Sequence, residues 1–377
     1  MFTQTTISRA ISTILADGLH SKTAASLSNS VLGLITSQDA TIHSIGRGLA
    51  EATGKSPKHT IKQVDRMLSN ANIRVEDLSE DLILSLIGAR KEIYVILDWT
   101  EFDKDKQSTI VLSLATKHGR ATPLIWMTVD KNDLKGKRNH YEDQVLIRFH
   151  DILPKDIKVT LLADRGFFSR AFVDAIENDF HWDYVVRIRG NILVKEYGEE
   201  KHVSDLVQKG QYKLIKDAKI TKDGYEVNTL VVEWDKDMKE PWCLVSNKKV
   251  YRAKKIVICY SKRWPIEPTF RDAKNPKFGF GMKATRINST ERRDRLWLVI
   301  VLSIVVLTTL GAASEKLGYD RRLKANTVKK RTYSLFRQGL ILWRLNFPPD
   351  DLNLLFKTFE ELFYKAIPSS TQLFDFI

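Results

Sequence analysis

The 377 residues are 43% hydrophobic and 28% charged. That balance excludes a disordered chain and supplies enough length for roughly two or three folded domains. A formal net charge of +14 points to a polyanionic partner, nucleic acid before membrane. The two cysteines, Cys243 and Cys259, lie in apolar runs without metal-ligand spacing, which excludes a disulfide framework and fits a reducing, cytoplasmic compartment.

From residue 1 to about 88, apolar positions recur at helical spacing, first at Ile7, Ile11, Ile14 and Leu15, then at Ile61, Val64, Met67 and Leu68. Gly46, Gly48, Gly54 and Pro57 punctuate them, so a compact helical N-terminal domain is expected over 1–88. Met1 to Ala10 lacks the charged start and apolar core of a signal peptide.

The texture changes at Ile93 to Leu97, a β-rich apolar run that ends at Asp98. Strands follow at Thr109 to Ala115 and Pro123 to Val129, separated by a turn at His118, Gly119 and Arg120. A helix is expected from about His140 to His150. A fourth strand spans Val159 to Ala163 and ends at Asp164, a helix runs from about Ser169 to Asn178, and a fifth strand spans Tyr184 to Ile188. Three strands, helix, strand, helix, strand is the order of a ribonuclease-H-like mixed sheet, so the fold class is α/β. Residues 190–250 read as a β-rich insertion, with strands such as Thr229 to Val232 and Cys243 to Val245. A catalytic domain over 89–310 would contain that insertion. From about Ala253 the chain reads as helical with basic loops. Residues 311–377 form a helical C-terminal region suited to DNA contact or dimerisation.

Leu296 to Ala313 is apolar except for Ser303, Thr308 and Thr309, which brings it to the lower limit of a membrane span. Arg292, Arg293 and Arg295 before it, and Glu315 and Lys316 after it, suit either a span or a soluble helix. A buried core helix is the expectation, with no membrane association; a membrane anchor is the alternative. Val250 to Leu345 holds 22 Lys/Arg against 6 Asp/Glu, so this window carries the whole positive excess, as a phosphate-contacting surface would.

Asp98 and Asp164 each follow an apolar strand, at the edge of an α/β sheet where ligands collect. Phosphoryl transfer on DNA with two metals needs three or four carboxylates there, holding hard cations about 4 Å apart. An aspartate after a strand is also a common turn or capping residue, so the pair alone decides nothing. A third acid supplies the context. Tyr260, Arg263, Glu267 and Lys274 stand at i, i+3, i+7 and i+14. At roughly 100° per residue they share one helix face within an arc of about 60°. A carboxylate for a metal, flanked by cations and a phenol for phosphates, is what this chemistry requires. Pro265 and Pro268 should kink that helix near Glu267 or start it there.

These residues resemble the insertion-sequence-4 family of bacterial DDE transposases, whose signature is Tyr-x2-Arg-x3-Glu-x6-Lys. All four signature residues are present. The aspartates stand in Leu97-Asp98-Trp99-Thr100 and Ala163-Asp164-Arg165-Gly166-Phe167. Likeness to one branch of the family extends to Lys239-Glu240-Pro241-Trp242, Phe270-Arg271-Asp272, Ala325-Asn326-Thr327-Val328 and the segment Lys58 to Arg66. Trp264 and the two prolines depart from it. The resemblance implies that Asp98, Asp164 and Glu267 hold two Mg²⁺ ions, with Mn²⁺ able to substitute. It also implies cut-and-paste transposition: water nicks the element's end, the freed 3′-hydroxyl makes a hairpin on the opposite strand, and after hairpin opening it attacks target DNA. Trp242 would be the platform for the base that the hairpin forces out of the stack, with Trp264 a second candidate. The expected partners are double-stranded DNA, as terminal inverted repeats and target, and a second copy in a homodimeric synaptic complex. Lys58, Lys62 and Arg66 would read or clamp the terminal repeat. Arg187 and Arg189 end the fifth strand in alternate register and, with Lys283, Arg286, Lys329, Lys330 and Arg331, are candidate phosphate contacts. Rival readings are a nuclease of the same fold that cuts without joining and a DNA-binding protein without catalysis.

Overall fold

The structure is a computed structural model that describes residues 4–15, 19–196, 198–250 and 252–366. Five helices come first: α1 (Gln4–Ile14), α2 (Ser21–Ser37), α3 (Ile42–Thr53), α4 (Pro57–Ser69) and α5 (Ser79–Ile87). Their periodicity explains them. In α1, Ile7, Ala10, Ile11 and Ile14 share one buried face. In α4, Pro57 starts the helix where its missing N–H costs nothing, and Thr60, Val64, Met67 and Leu68 point inward. Lys58, Lys62 and Arg66 are left exposed.

The next elements are β1 (Glu92–Phe102), β2 (Gln107–Ala115), β3 (Ala121–Asp130), α6 (Arg138–Ile152), β4 (Lys158–Ala163), α7 (Arg170–Asp174) and β5 (Asp183–Arg187). The following segment contributes β6 (Leu193–Glu196), β7 (Glu199–His202), β8 (Gln211–Ile220), β9 (Tyr225–Trp234) and β10 (Trp242–Ser246). All ten strands form one sheet in the order β3-β2-β1-β4-β5-β10-β9-β8-β6-β7. β4 runs parallel to β1 and β5, and the remaining pairs are antiparallel. The first five strands have the ribonuclease-H-like arrangement that the element order implied. The β-rich segment does not interrupt the sheet; β10 pairs with β5 and carries the sheet onward from that edge.

One expectation needs correction. β1 does not stop at Asp98 but continues to Phe102, because Trp99 to Phe102 pair with Gln107 to Ile110 of β2. Thr100 and Phe102 are buried, so the two-residue alternation persists after the apolar run ends. Asp98 marks instead the place where the parallel pairing with β4 ends, at Leu97 opposite Ala163.

The C-terminal part contains α8 (Ala253–Ser261), α9 (Ile266–Lys274), α10 (Thr290–Lys316), α11 (Leu335–Arg344) and α12 (Pro349–Ala366). Residues 367–377, the end of the expected C-terminal region, lie outside the described residues. The apolar stretch of α10 is wholly buried, packed by α2, β3, α11 and α12, so protein rather than lipid covers it. Gly311 and Gly339 let α10 and α11 cross closely. A Cβ on Gly311 would stand 2.0 Å from the Leu335 carbonyl oxygen, and one on Gly339 2.0 Å from that of Leu307.

The basic start of α10 is spent inside the protein rather than on a flanking surface. Arg293 is fully buried and pairs with Asp105, while donating to Gln107 Oε1 and Thr285 Oγ1, each at 3.0 Å. Arg295 caps the carbonyls of Ile73 and Leu68 at 2.8 and 3.0 Å. Arg292 reaches Asp65 of α4 at 2.8 Å, nearer the surface. The sheet and the N-terminal helices are therefore tied to one helix end. Arg293→Met would strand the Asp105 carboxylate and should cost about 3–5 kcal/mol. Arg292→Met, which breaks an exposed pair, should cost about 0–1 kcal/mol. Urea unfolding of the two variants checks the ranking, and equal costs would refute it.

Candidate active site

Alternation and register assemble the site. Ile96, Leu162, Val185 and Leu244 share one buried cluster with Ile256, Cys259 and Tyr260 of α8 and Ile266 of α9. Side chains two residues further along each strand point the same way. Asp98 on β1, Asp164 just past β4 and Arg187 on β5 therefore emerge on that same face. They also emerge side by side, because Leu97, Ala163 and Val186 form one cross-strand row and these three residues follow it. On β10, Trp242 stands two residues before Leu244, the partner of Arg187.

The helical stretch from Tyr260 to Lys274 is two helices, the second starting beside Glu267 as the prolines implied. α8 ends at Ser261, residues 262–265 form turns, and α9 begins at Ile266. Pro265 and Pro268 are the reason: the first precedes α9 and the second lies in its first turn, where helical N–H groups lack partners anyway. Tyr260 thus sits on α8, Arg263 and Trp264 in the turn, and Glu267 and Lys274 on α9. β3 anchors the second helix. Thr269 Oγ1 donates to the Ala121 carbonyl at 3.0 Å and accepts from the Ala121 N–H at 2.9 Å, and Asp272 pairs with Arg120.

Three carboxylates meet at one guanidinium. Arg263 Nη2 donates to Asp98 Oδ2 at 3.1 Å and lies 3.6 Å from Asp164 Oδ2, while Nη1 lies 3.6 Å from Glu267 Oε1. Tyr260 Oη donates to Asp164 Oδ1 at 3.4 Å. Each aspartate also accepts the N–H of its successor, Trp99 at 2.9 Å and Arg165 at 2.8 Å. Glu267 is the most open of the three, with its side chain 54% exposed. Burial raises the Asp98 carboxyl to about 6 against the pull of Arg263 and the Trp99 N–H, and repulsion from Asp164 and Glu267 adds to the rise. Burial opposes the Arg263 charge too, but Asp98, Tyr260, Asp164 and Glu267 outweigh it and hold its pKa above the usual range. Burial pushes the Tyr260 phenol up, so it stays protonated as a donor.

The donor set fits a hard divalent cation. Three carboxylates share a single positive charge, and their oxygens are the ligand type that Mg²⁺ or Mn²⁺ takes. With Arg263 standing between them, no group of three or more His, Cys, Asp or Glu among the described residues closes on one point.

Lys274 is held at the same face of β1, donating to Thr100 Oγ1 at 2.6 Å with its ammonium 5.2 Å from the Phe102 ring centre. Trp242 packs edge-on to Tyr260 at 5.1 Å and tilted against Trp264 at 6.1 Å between centres. Trp264, the second stacking candidate, lies beside Trp242, with 49% of its surface exposed. Arg189 is exposed beyond the end of β5, Lys283 and Arg286 are exposed after α9, and Lys329 and Lys330 are exposed in the loop before α11. Arg331 is paired with Glu315. Lys58, Lys62 and Arg66 form a separate stripe on α4. Residue patterns did not single out Thr100, or the bridging of Arg165 and Arg187 by Glu240, described below. The position of Arg165 directly after Asp164 was the available signal.

A family model described as "Transposase DDE domain" matches residues 95–306, more than half of the chain. None of the curated proteins matches.

Burial, reinforced by nearby Lys283, lowers the Lys274 ammonium to about 8 despite Glu101 and Asp103. In the DNA-free protein this lysine should therefore lose its proton as the pH rises through about 8. Competitive acetylation followed across pH by mass spectrometry reads this directly. Thr100→Val, which removes the acceptor that favours the charged form, should move the midpoint lower still. A midpoint above 10 in the unaltered protein would overturn the assignment.

Proposed function

The chain belongs to the family of DDE transposases, and we propose that it excises and integrates an insertion sequence by cut and paste, through a hairpin intermediate, as a member of the insertion-sequence-4 family. Enzymes of this family act on DNA by phosphoryl transfer and use divalent metals. Asp98, Asp164 and Glu267 are the proposed ligands, for two Mg²⁺ ions that Mn²⁺ can replace. When bound, such ions sharpen the nucleophile and stabilise the leaving oxygen.

The observation that supports this reading most is the convergence of three acids from distant parts of the chain on one guanidinium. Around it the chain's own groups have separable tasks. Arg263, Lys274 and the protonated Tyr260 hydroxyl are donors for phosphate oxygens next to the scissile bond. Trp242, backed by Trp264, offers a stacking surface for a base that leaves the duplex when a hairpin forms, offsetting about 1–3 kcal/mol of lost stacking. The stripe of Lys58, Lys62 and Arg66 on α4 contacts the terminal repeat, with Arg187, Arg189, Lys283, Arg286, Lys329 and Lys330 as further phosphate contacts. The N-terminal helices act as the end-binding domain, the region from 89 to 310 as the catalytic domain, and the remainder as a DNA-contacting or dimerising region. Two element ends must be joined in one complex, so the working form is a homodimer on DNA, in the bacterial cytoplasm.

A strand-transfer assay with paired inverted-repeat ends and a supercoiled target in Mg²⁺ tests the proposal. Joined products and hairpinned ends are expected; nicks alone would mean a nuclease. Asp98→Asn should bind the ends within about twofold of the unaltered protein and lose cleavage by about 10³-fold or more. Undiminished cleavage by that variant would defeat the assignment of the carboxylates.

A further inference from the structure

β4 and β5 run parallel and end together, and an arginine stands at each end: Arg165 directly after Asp164, and Arg187 as the last residue of β5. Both guanidinia close on one acid. Arg165 Nη1 lies 3.2 Å from each carboxylate oxygen of Glu240, and Arg187 Nη2 lies 2.7 Å from Oε1 and 3.5 Å from the Pro241 carbonyl. Glu240 precedes β10, two residues before Trp242. Its own burial is slight, and the two arginines outweigh it, so its carboxyl is held below the usual range and is ionised.

The site is open where a ligand would enter and built where it would be held. Glu240 is 52% exposed and Arg165 47%, whereas only 15% of the Arg187 side chain reaches solvent. Arg187 Nε is buried without a hydrogen-bond partner among the described residues. A carboxylate bridging two guanidinia presents paired anionic oxygens, as the two non-bridging oxygens of a phosphodiester do. Exposed ion pairs are weakly held, so the acid can be exchanged for another anion. The cluster stands beside Asp164, on the sheet face that carries Asp98, and Arg187 acts electrostatically on Tyr260.

We infer that Arg165 and Arg187 form a binding site for one DNA phosphodiester beside the carboxylate cluster, and that Glu240 fills it in the free protein as an internal stand-in that DNA displaces. The inference rests on the DNA-transferase reading and goes beyond it, since neither the four-residue signature nor the family match gives Arg165 or Glu240 a role. Glu240 then acts as a threshold. A DNA that places a phosphate at this position recovers the two arginines, and one that does not leaves them held by Glu240.

The test uses the full chain and a duplex ending in the element's terminal repeat, with binding followed by fluorescence anisotropy in EDTA over a series of KCl concentrations. Glu240→Gln should tighten binding about threefold to tenfold at low salt and steepen the salt dependence by about one ion. Arg165→Gln should weaken binding and make the dependence shallower by about one. The gain from Glu240→Gln should shrink when Arg165→Gln is also present. A Glu240→Gln protein that binds no tighter overturns the inference, as does a gain that persists in full in the double variant, which would mean a general charge effect. If Glu240→Gln does not fold, Arg165→Gln decides alone, and unchanged binding refutes the site. Failure of the underlying reading looks different: the unaltered protein would then show no salt-dependent DNA binding at all.

Discussion

The guanidinium of Arg263 holds together what the rest of the fold only brings near. It lies within 3.6 Å of carboxylates from the middle of β1, the end of β4 and the first turn of α9. Without a cation at that point the acids would repel one another, and the Asp98 carboxyl already sits at about 6, burial being the larger cause and its two acidic neighbours adding to it. The turn that carries Arg263 exists because Pro265 and Pro268 interrupt an otherwise helical stretch, and the tie between Thr269 and Ala121 fixes where the second helix starts. A straight helix would keep the same four residues on one face. The broken one lets Tyr260 and Arg263 reach the ends of the strands while Lys274 reaches back along β1 to Thr100.

Which parts of this were legible in the sequence follows from the range of the interactions. Strands of β-branched and aliphatic residues ending in an acid are local patterns, so Asp98 and Asp164 could be found, and the prolines announced the helix break. The continuation of β1 to Phe102 was not visible, because Trp99 to Phe102 mix polar and apolar residues and their strand character comes from pairing with β2. The pair of Arg165 and Glu240 is separated by 75 residues and exists only because β10 returns to the edge of β5. Nothing in either local segment predicts it. The spacing of Tyr260, Arg263, Glu267 and Lys274 pointed to Glu267 as the third acid, and the resemblance to a known family reinforced that expectation.

Charge was the most misleading quantity to read along the chain. The window from Val250 to Leu345 carries the whole positive excess, yet three of its arginines are buried and committed internally: Arg263 to carboxylates, Arg293 to Asp105 and Arg295 to backbone carbonyls. A basic window therefore overstates the surface available to a polyanion. Lys283, Arg286, Lys329 and Lys330 remain exposed, and they come from loops that flank α10, whose buried length sets their positions. The helix that most resembled a membrane span is instead the beam to which the N-terminal helices, β3 and the last two helices are fastened.

Two neighbouring clusters at the sheet edge are short of opposite charges. At one, three carboxylates share a single guanidinium; at the other, two guanidinia share a single carboxylate. Asp164 belongs to the first and its successor Arg165 to the second, so one peptide bond joins them. Each cluster thus holds less opposite charge than its own. Under the proposed function, divalent cations add positive charge at the first cluster, and a DNA phosphate takes the place that Glu240 holds at the second. Both exchanges take place at one sheet edge, one peptide bond apart, so cations gathered by Asp164 and a phosphate gathered by Arg165 would sit side by side when the substrate is in place.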